Sequence, residues 1–220
     1  MEQTNNRPVL FLDSSDLRNM VQLYDAVKAL MLYGEEISPN SATLPQILKE
    51  LRDAFDHMMR VCAAKLGIKI NGDDDYQHKN FDKSFGHVYR AAYDTLDWVN
   101  ILLKDRICLD LDEYSPASIS AAIPEYYSTI KPRITDTIPR QIATVRANKD
   151  IGAPSREAIE EYLDVVEELK GYHEKIVSAG PALIEYSARE RKGRLRGYIV
   201  GAIIGAAITS IGIVVTLILT

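Results

Sequence analysis

Apolar residues recur at helical spacing along most of the chain. Leu17, Met20, Val21, Tyr24, Val27 and Met31 share one face of a run that opens at Ser14, Ser15 and Asp16 and is expected to end at Gly34. A second run, about Pro45 to Leu66, carries Leu48, Leu51, Phe55, Met58 and Cys62, with proline in its first turn and Gly67 as its stop. A third begins near Tyr76 or Asp82 and reaches Lys104. Its stripe is Phe85, Val88, Tyr89, Ala92, Leu96, Val99 and Leu103. The acidic stretch Asn71 to Asp75 ahead of it is turn chemistry and lacks the further ligands of a calcium loop.

Between Ser115 and Ala147 the rhythm changes. Pro116, Pro124, Pro132 and Pro139 fall in this stretch, and an interior proline removes a hydrogen bond and kinks a helix. Short helices or a kinked helix are expected there. A long helix opened by Ser155 follows, with Ala158, Tyr162, Val165, Val166, Leu169, Tyr172 and Ile176 on its apolar face. Gly180-Pro181 reads as a break or hinge, after which a helix continues through Arg196. Strand-like alternation occurs only at Cys108 to Asp112. The pattern predicts an all-α protein: a cytoplasmic helical bundle over 1–180, a basic stalk over 181–196 and one transmembrane helix over 197–220.

The last 24 residues, Gly197 to Thr220, carry no charge. At about 1.5 Å per residue they reach roughly 36 Å, against a bilayer core of about 30 Å. A buried core helix of that length would show a polar face. Arg189, Arg191, Lys192, Arg194 and Arg196 precede the stretch, opposed by Glu190. Positive flanks stay cytoplasmic and meet anionic lipid headgroups. A tail-anchored, single-pass protein with its N-terminal domain in the cytoplasm is expected. Within the stretch, Gly197, Gly201 and Gly205 stand four apart, and Thr209 continues the row. Gly212 and Thr216 repeat the spacing lower down. Small residues at this interval let helices approach closely in lipid, which predicts a homo-oligomer around a narrow pore. With no acid or base in the span, a proton relay is excluded.

Charge adds one constraint. The chain holds 26 basic and 31 acidic residues. Without the flanking cluster of five basic and one acidic, 21 basic face 30 acidic before Arg189, a net of −9. Bulk nucleic-acid binding does not suit such a surface. Cys62 and Cys108 are expected as small buried thiols in a reducing compartment. No ligand spacing points to a metal. No phosphate-binding loop, dinucleotide fingerprint, serine-nucleophile elbow or zinc-protease motif is present. Neither a cofactor nor an enzymatic activity is expected.

Three groups could carry chemistry. Phe55-Asp56-His57-Met58-Met59-Arg60 and Phe85-Gly86-His87-Val88-Tyr89-Arg90 echo one another. In each, His and Arg are three apart and share a face. If the two helices pair, His57, Arg60, His87 and Arg90 form a polar cluster able to hold an anion; the rival reading is a structural network. Lys131, Arg133 and Arg140, joined by Arg146 and Lys149 and preceded by Tyr126 and Tyr127, mix cations with aromatics. That mixture suits the phosphates and bases of a nucleotide or oligonucleotide; a solvated helix face is the alternative. Arg52 and His57 stand at the spacing of the R-x4-H motif and resemble that of HEPN ribonucleases, also small helical bundles. That resemblance implies an Arg and a His meeting across a dimer to cleave RNA.

The layout of the whole chain resembles small membrane effectors of bacterial antiphage operons, Hailong-type channel subunits being the nearest. The resemblance implies a bacterial inner membrane, a partner enzyme that makes a deoxyadenylate oligomer, and an effector that breaches the membrane on binding it. The expected function is an oligomeric membrane effector whose cytoplasmic domain senses a ligand and controls a pore. The alternatives are a tail-anchored adaptor or scaffold and a membrane-tethered HEPN-like ribonuclease.

Overall fold

The computed structural model describes residues 14–69, 72–148 and 157–219, with side chains over 15–69, 72–148 and 159–208. Every described element is helical. In chain order they are α1 (Ser14–Ile37), α2 (Pro45–Lys65), α3 (Asp74–Asp112), α4 (Pro116–Ala122), two π-helical turns (Tyr126–Ile130 and Arg133–Thr137), α5 (Ile138–Ala147), α6 (Glu157–Ser178) and α7 (Gly180–Leu219). Ser155, expected to open α6, and Asn71 lie outside the described residues.

Several boundaries differ from the sequence pattern for physical reasons. Helix α1 runs past Gly34 to Ile37. Gly34 is an interior contact: a Cβ there would come within 2.4 Å of the Trp98 ring. Gly67 closes α2 with φ +69°, a conformation glycine adopts without cost. Helix α3 absorbs Cys108 to Asp112, because Ile107 and Leu111 are buried four apart, a helical interval. Only Ala179 separates α6 from α7. The cysteines are corrected as well: Cys62 is half-buried and Cys108 exposed, and both are free thiols. Cys108 lies on the outward face of α3, one position past the buried Ile107.

The faces of α1 and α2 are rotated from expectation. Helix α1 buries Met20, Leu23, Val27, Leu30 and Ile37 and leaves Val21 and Tyr24 exposed. Helix α2 buries Ile47, Glu50, Ala54, Val61 and Ala64, whereas Leu48 and Phe55 are exposed. Each helix carries two adjacent apolar rows, and on α2 the buried one is the row with the small residues Ala54 and Ala64.

The π turns follow from the sequence around them. Tyr126, Ile130, Ile134, Ile138 and Ile142 are all buried, one every four residues. An α-helix turns every 3.6 residues, so a strict four-residue row would wander off its face. Wider π turns, closed by i→i+5 bonds, absorb the difference. They also make room for proline, whose ring clashes with the carbonyl four residues back. For Pro132 that carbonyl belongs to Ser128 and for Pro139 to Thr135, and each lies within a π turn.

The chain divides into two compact units, Met1–Ile107 with Arg133–His173, and Cys108–Pro132 with Glu174–Thr220. The core of the first includes Tyr89, Tyr93, Leu96, Leu103, Tyr162 and Leu169, all fully buried. The second packs α4 against α7. Ser115 caps α4 by accepting from the Ser118 N–H at 3.1 Å. Glu190 of α7 accepts from the hydroxyls of Ser115 and Ser118, the latter at 3.0 Å. Those bonds, Ser115's first, hold the Glu190 carboxyl below its ordinary value.

Helix α7 is continuous through Leu219. Among the described residues no helix is long and apolar enough to cross a membrane. Side chains are described only to Ile208, and the 18 residues ending there include Arg191, Lys192, Arg194 and Arg196.

Candidate functional site

Glu50 is the centre of a polar cluster in the first unit. It occupies a core-facing position of α2 between Ile47 and Ala54, and only 5% of it is exposed. His87 and Arg90, one turn apart on α3, face it. His87 Nδ1 lies 2.8 Å from Glu50 Oε2, and Arg90 Nε donates to the same oxygen at 2.9 Å. Gln46 donates to Oε1 at 3.1 Å. Burial pushes the Glu50 carboxyl up, but the bonds and charges of Arg90 and His87 outweigh it and hold the group below its ordinary value. Arg90 Nη2 also lies 2.7 Å from His87 Nδ1. That nitrogen carries one proton or one lone pair, so it donates to Glu50 or accepts from Arg90, not both at once.

His57 joins through its ring. It stacks on His87 with centroids 5.4 Å apart and planes 19° from parallel. Its Nδ1 sits 2.9 Å from Asn80 Oδ1, and Asn80 donates to the Tyr76 carbonyl at 2.8 Å. The structure therefore gathers His57, His87 and Arg90. Arg60 stays outside, paired with Asp56 on the surface at 2.7 Å. The anion that His87 and Arg90 face is the protein's own Glu50. The echo pointed to the cations; the carboxylate between them was missed. Its signal is an acid at a core position of α2, one turn from Ile47 and from Ala54 on the same face.

The proline-broken segment distributes its cations differently. Arg133 makes a two-pronged pair with Glu168, both bonds 2.7 Å, and Tyr172 donates to the same carboxylate at 2.7 Å. The bond from Arg133 leads the influences that hold Glu168 below its ordinary value. Arg140 is 77% exposed and pairs with Asp136 at 2.7 Å. Arg146 pairs with Asp97, which also accepts from the Tyr162 hydroxyl at 2.5 Å. Burial first, then that bond, raises the Tyr162 hydroxyl's pKa. Lys149 lies outside the described residues. In the second unit, Lys131 stands over the Tyr127 ring at 5.4 Å. Tyr126 meets Tyr127 edge-on at 4.9 Å, and Glu125 pairs with Lys175.

Arg52 and His57 have separate surroundings. Arg52 binds Asp53 through Nε at 3.0 Å and Nη2 at 2.7 Å, whereas His57 faces α3. Among the described residues no group of three or more His, Cys, Asp or Glu could hold a metal ion. In α7 a Cβ added at Gly197, Gly201 or Gly205 would meet no atom within 4 Å. The side chains of Thr209, Gly212 and Thr216 lie outside the described residues. No protein-family model, no curated protein and no solved structure matches the chain.

Proposed function

We propose that the protein is an oligomeric membrane effector: a cytoplasmic helical domain senses an anionic nucleotide or oligonucleotide and controls a pore formed by C-terminal helices. One observation carries this reading. Helix α7 continues without a break from Gly180 to Leu219, and every described side chain from Arg191 to Ile208 is exposed. Tyr198, Ile203 and Ile208 are more than 60% exposed. Leaving such side chains in water forgoes about 25 cal/mol per Å² of burial. A helix apolar on all sides belongs in lipid or against other copies. The sequence from Gly197 to Thr220 carries no charge and is of membrane-spanning length. The four-residue glycine row supplies a face on which spans can pack.

The test is leakage from liposomes that contain the purified chain. Gly201→Leu and Gly205→Leu should each abolish leakage while insertion persists, whereas Ile203→Leu should leak normally. Leakage unchanged in both glycine variants would reduce the helix to an anchor. The ligand arm uses Lys131→Ala and, separately, Arg140→Ala, both at exposed positions, and a deoxyadenylate oligomer as probe. Binding should weaken and its salt dependence flatten; unchanged affinity and salt dependence would place the ligand elsewhere.

A further inference from the structure

The rows that α1 and α2 leave outside meet in one surface. Just ahead of and along α2 this row is Leu44, Leu48, Leu51, Phe55, Met58 and Cys62, spaced by alternating steps of four and three, with Leu44, Leu48 and Phe55 exposed and the others half-buried. That is the seam spacing of paired helices. Val21 and Tyr24 of α1 stand beside it, 47% and 43% exposed. Between the two helices lies an open groove of about 510 Å³, walled by Met20, Val21, Tyr24, Leu51, Phe55 and Met58.

The lining determines what fits. Ser84 reaches the floor, but its hydroxyl already donates to the Ala54 carbonyl at 2.8 Å. Arg52, at the edge, is committed to Asp53 at 2.7 Å. A polar ligand would find little to bond, so the occupant is apolar.

The same face also carries a suitable knob. Phe55 forms part of the groove wall and is 64% exposed. A groove of this volume admits an aromatic ring with one or two aliphatic side chains. Knob and hole on one patch are what a two-fold interface requires, where residue i meets j and j meets i. Val21, Tyr24, Leu44, Leu48 and Phe55 are each 43–64% exposed, and a two-fold contact covers each of them twice, which adds apolar area toward what a stable interface needs. The rim carries both signs: Lys49, Arg52 and Arg60 with Asp53 and Asp56 on α2, and Arg18 and Lys28 with Asp25 on α1. Residues 1–188 have a net charge of −9, but this rim has both acids and bases to set against one another across a two-fold contact.

We propose that a second copy of this chain docks on this surface about a two-fold axis, each Phe55 seated in the other's groove. The surface belongs wholly to the first unit, so the proposal stands whether or not α7 crosses a membrane.

The test uses the full chain in detergent, with the photoreactive residue benzoylphenylalanine at position 55. Equal amounts of ¹⁴N- and ¹⁵N-labelled protein are mixed, irradiated and digested. The expected product joins position 55 to the peptide containing Val21 and Tyr24, with half of the linked pairs carrying mixed labels. In parallel, in a Gly201→Leu, Gly205→Leu background that removes packing through the glycine row, Phe55→Glu should weaken association at least tenfold with an unchanged melting temperature. Leu32→Glu, equally exposed on α1 but outside the groove lining, should leave association unchanged. Same-label products alone would overturn the proposal, because the groove would then be filled by a segment of its own chain. Cross-links to detergent or lipid alone would overturn it too, as would full association of the Phe55→Glu protein.

Discussion

Glu50 illustrates how a buried charge is tolerated. Its carboxylate accepts from Arg90 and Gln46 and lies 2.8 Å from His87 Nδ1, so that desolvation is offset by charge-assisted bonds. Glu50→Gln removes the charge and leaves Arg90 facing a neutral amide, at an expected cost of about 2 kcal/mol in urea unfolding at pH 7. A carboxyl held below its ordinary value of 4.5 stabilises the fold above that value and loses its contribution as pH falls through the folded value. The difference between wild type and Glu50→Gln should therefore be full at neutral pH and shrink below about 4.5. A difference that grew on acidification would contradict this account. Gly34 is a second single-residue constraint. Gly34→Ala places a Cβ 2.4 Å from the Trp98 ring, so helix or indole must shift, at about 1–3 kcal/mol. A red shift of the emission of Trp98, the only tryptophan of the chain, would report the displacement.

At the scale of elements, the π turns make a checkable claim about the four-residue isoleucine row. Ile138 is fully buried, whereas its neighbour Thr137 is exposed. Ile138→Ala should cost about 2–4 kcal/mol and Thr137→Ala under about 0.5 kcal/mol. Equal costs would mean that the row is not the buried face. The helices themselves were legible in the sequence, since their period, prolines and Gly67 are local signals. What was not legible was the choice between adjacent apolar rows on α1 and α2. Leu48 and Phe55 are larger than Ala54 and Ala64, yet the small residues face the core. Periodicity marks a face to within a quarter turn, and close packing against α3 decides the rest. The polar cluster was half legible for a similar reason. Spacing along one helix aligned His57 with Arg60 and His87 with Arg90. Partners from other parts of the chain, Glu50 and Asn80, decide which of them meet, and Arg60 turns instead to Asp56. The cations around Pro132 likewise read as a group, but Glu168 and Asp136 hold Arg133 and Arg140 individually.

For the whole molecule, we propose that α7 carries the chain into a membrane. Its basic turn, Arg189 to Arg196, would remain at the cytoplasmic surface, and the uncharged residues from Gly197 would enter the hydrocarbon. The pore, the ligand response and the pairing of first units each have tests of their own, and the first two presuppose insertion. Alkaline carbonate extraction of membranes from cells expressing the full chain measures insertion directly, because it strips peripheral proteins and leaves spanning ones. The account predicts that the protein stays in the membrane pellet and that placing two lysines in the tail, Ile204→Lys with Ile208→Lys, releases it. Recovery of the unaltered chain in the carbonate supernatant would contradict the account.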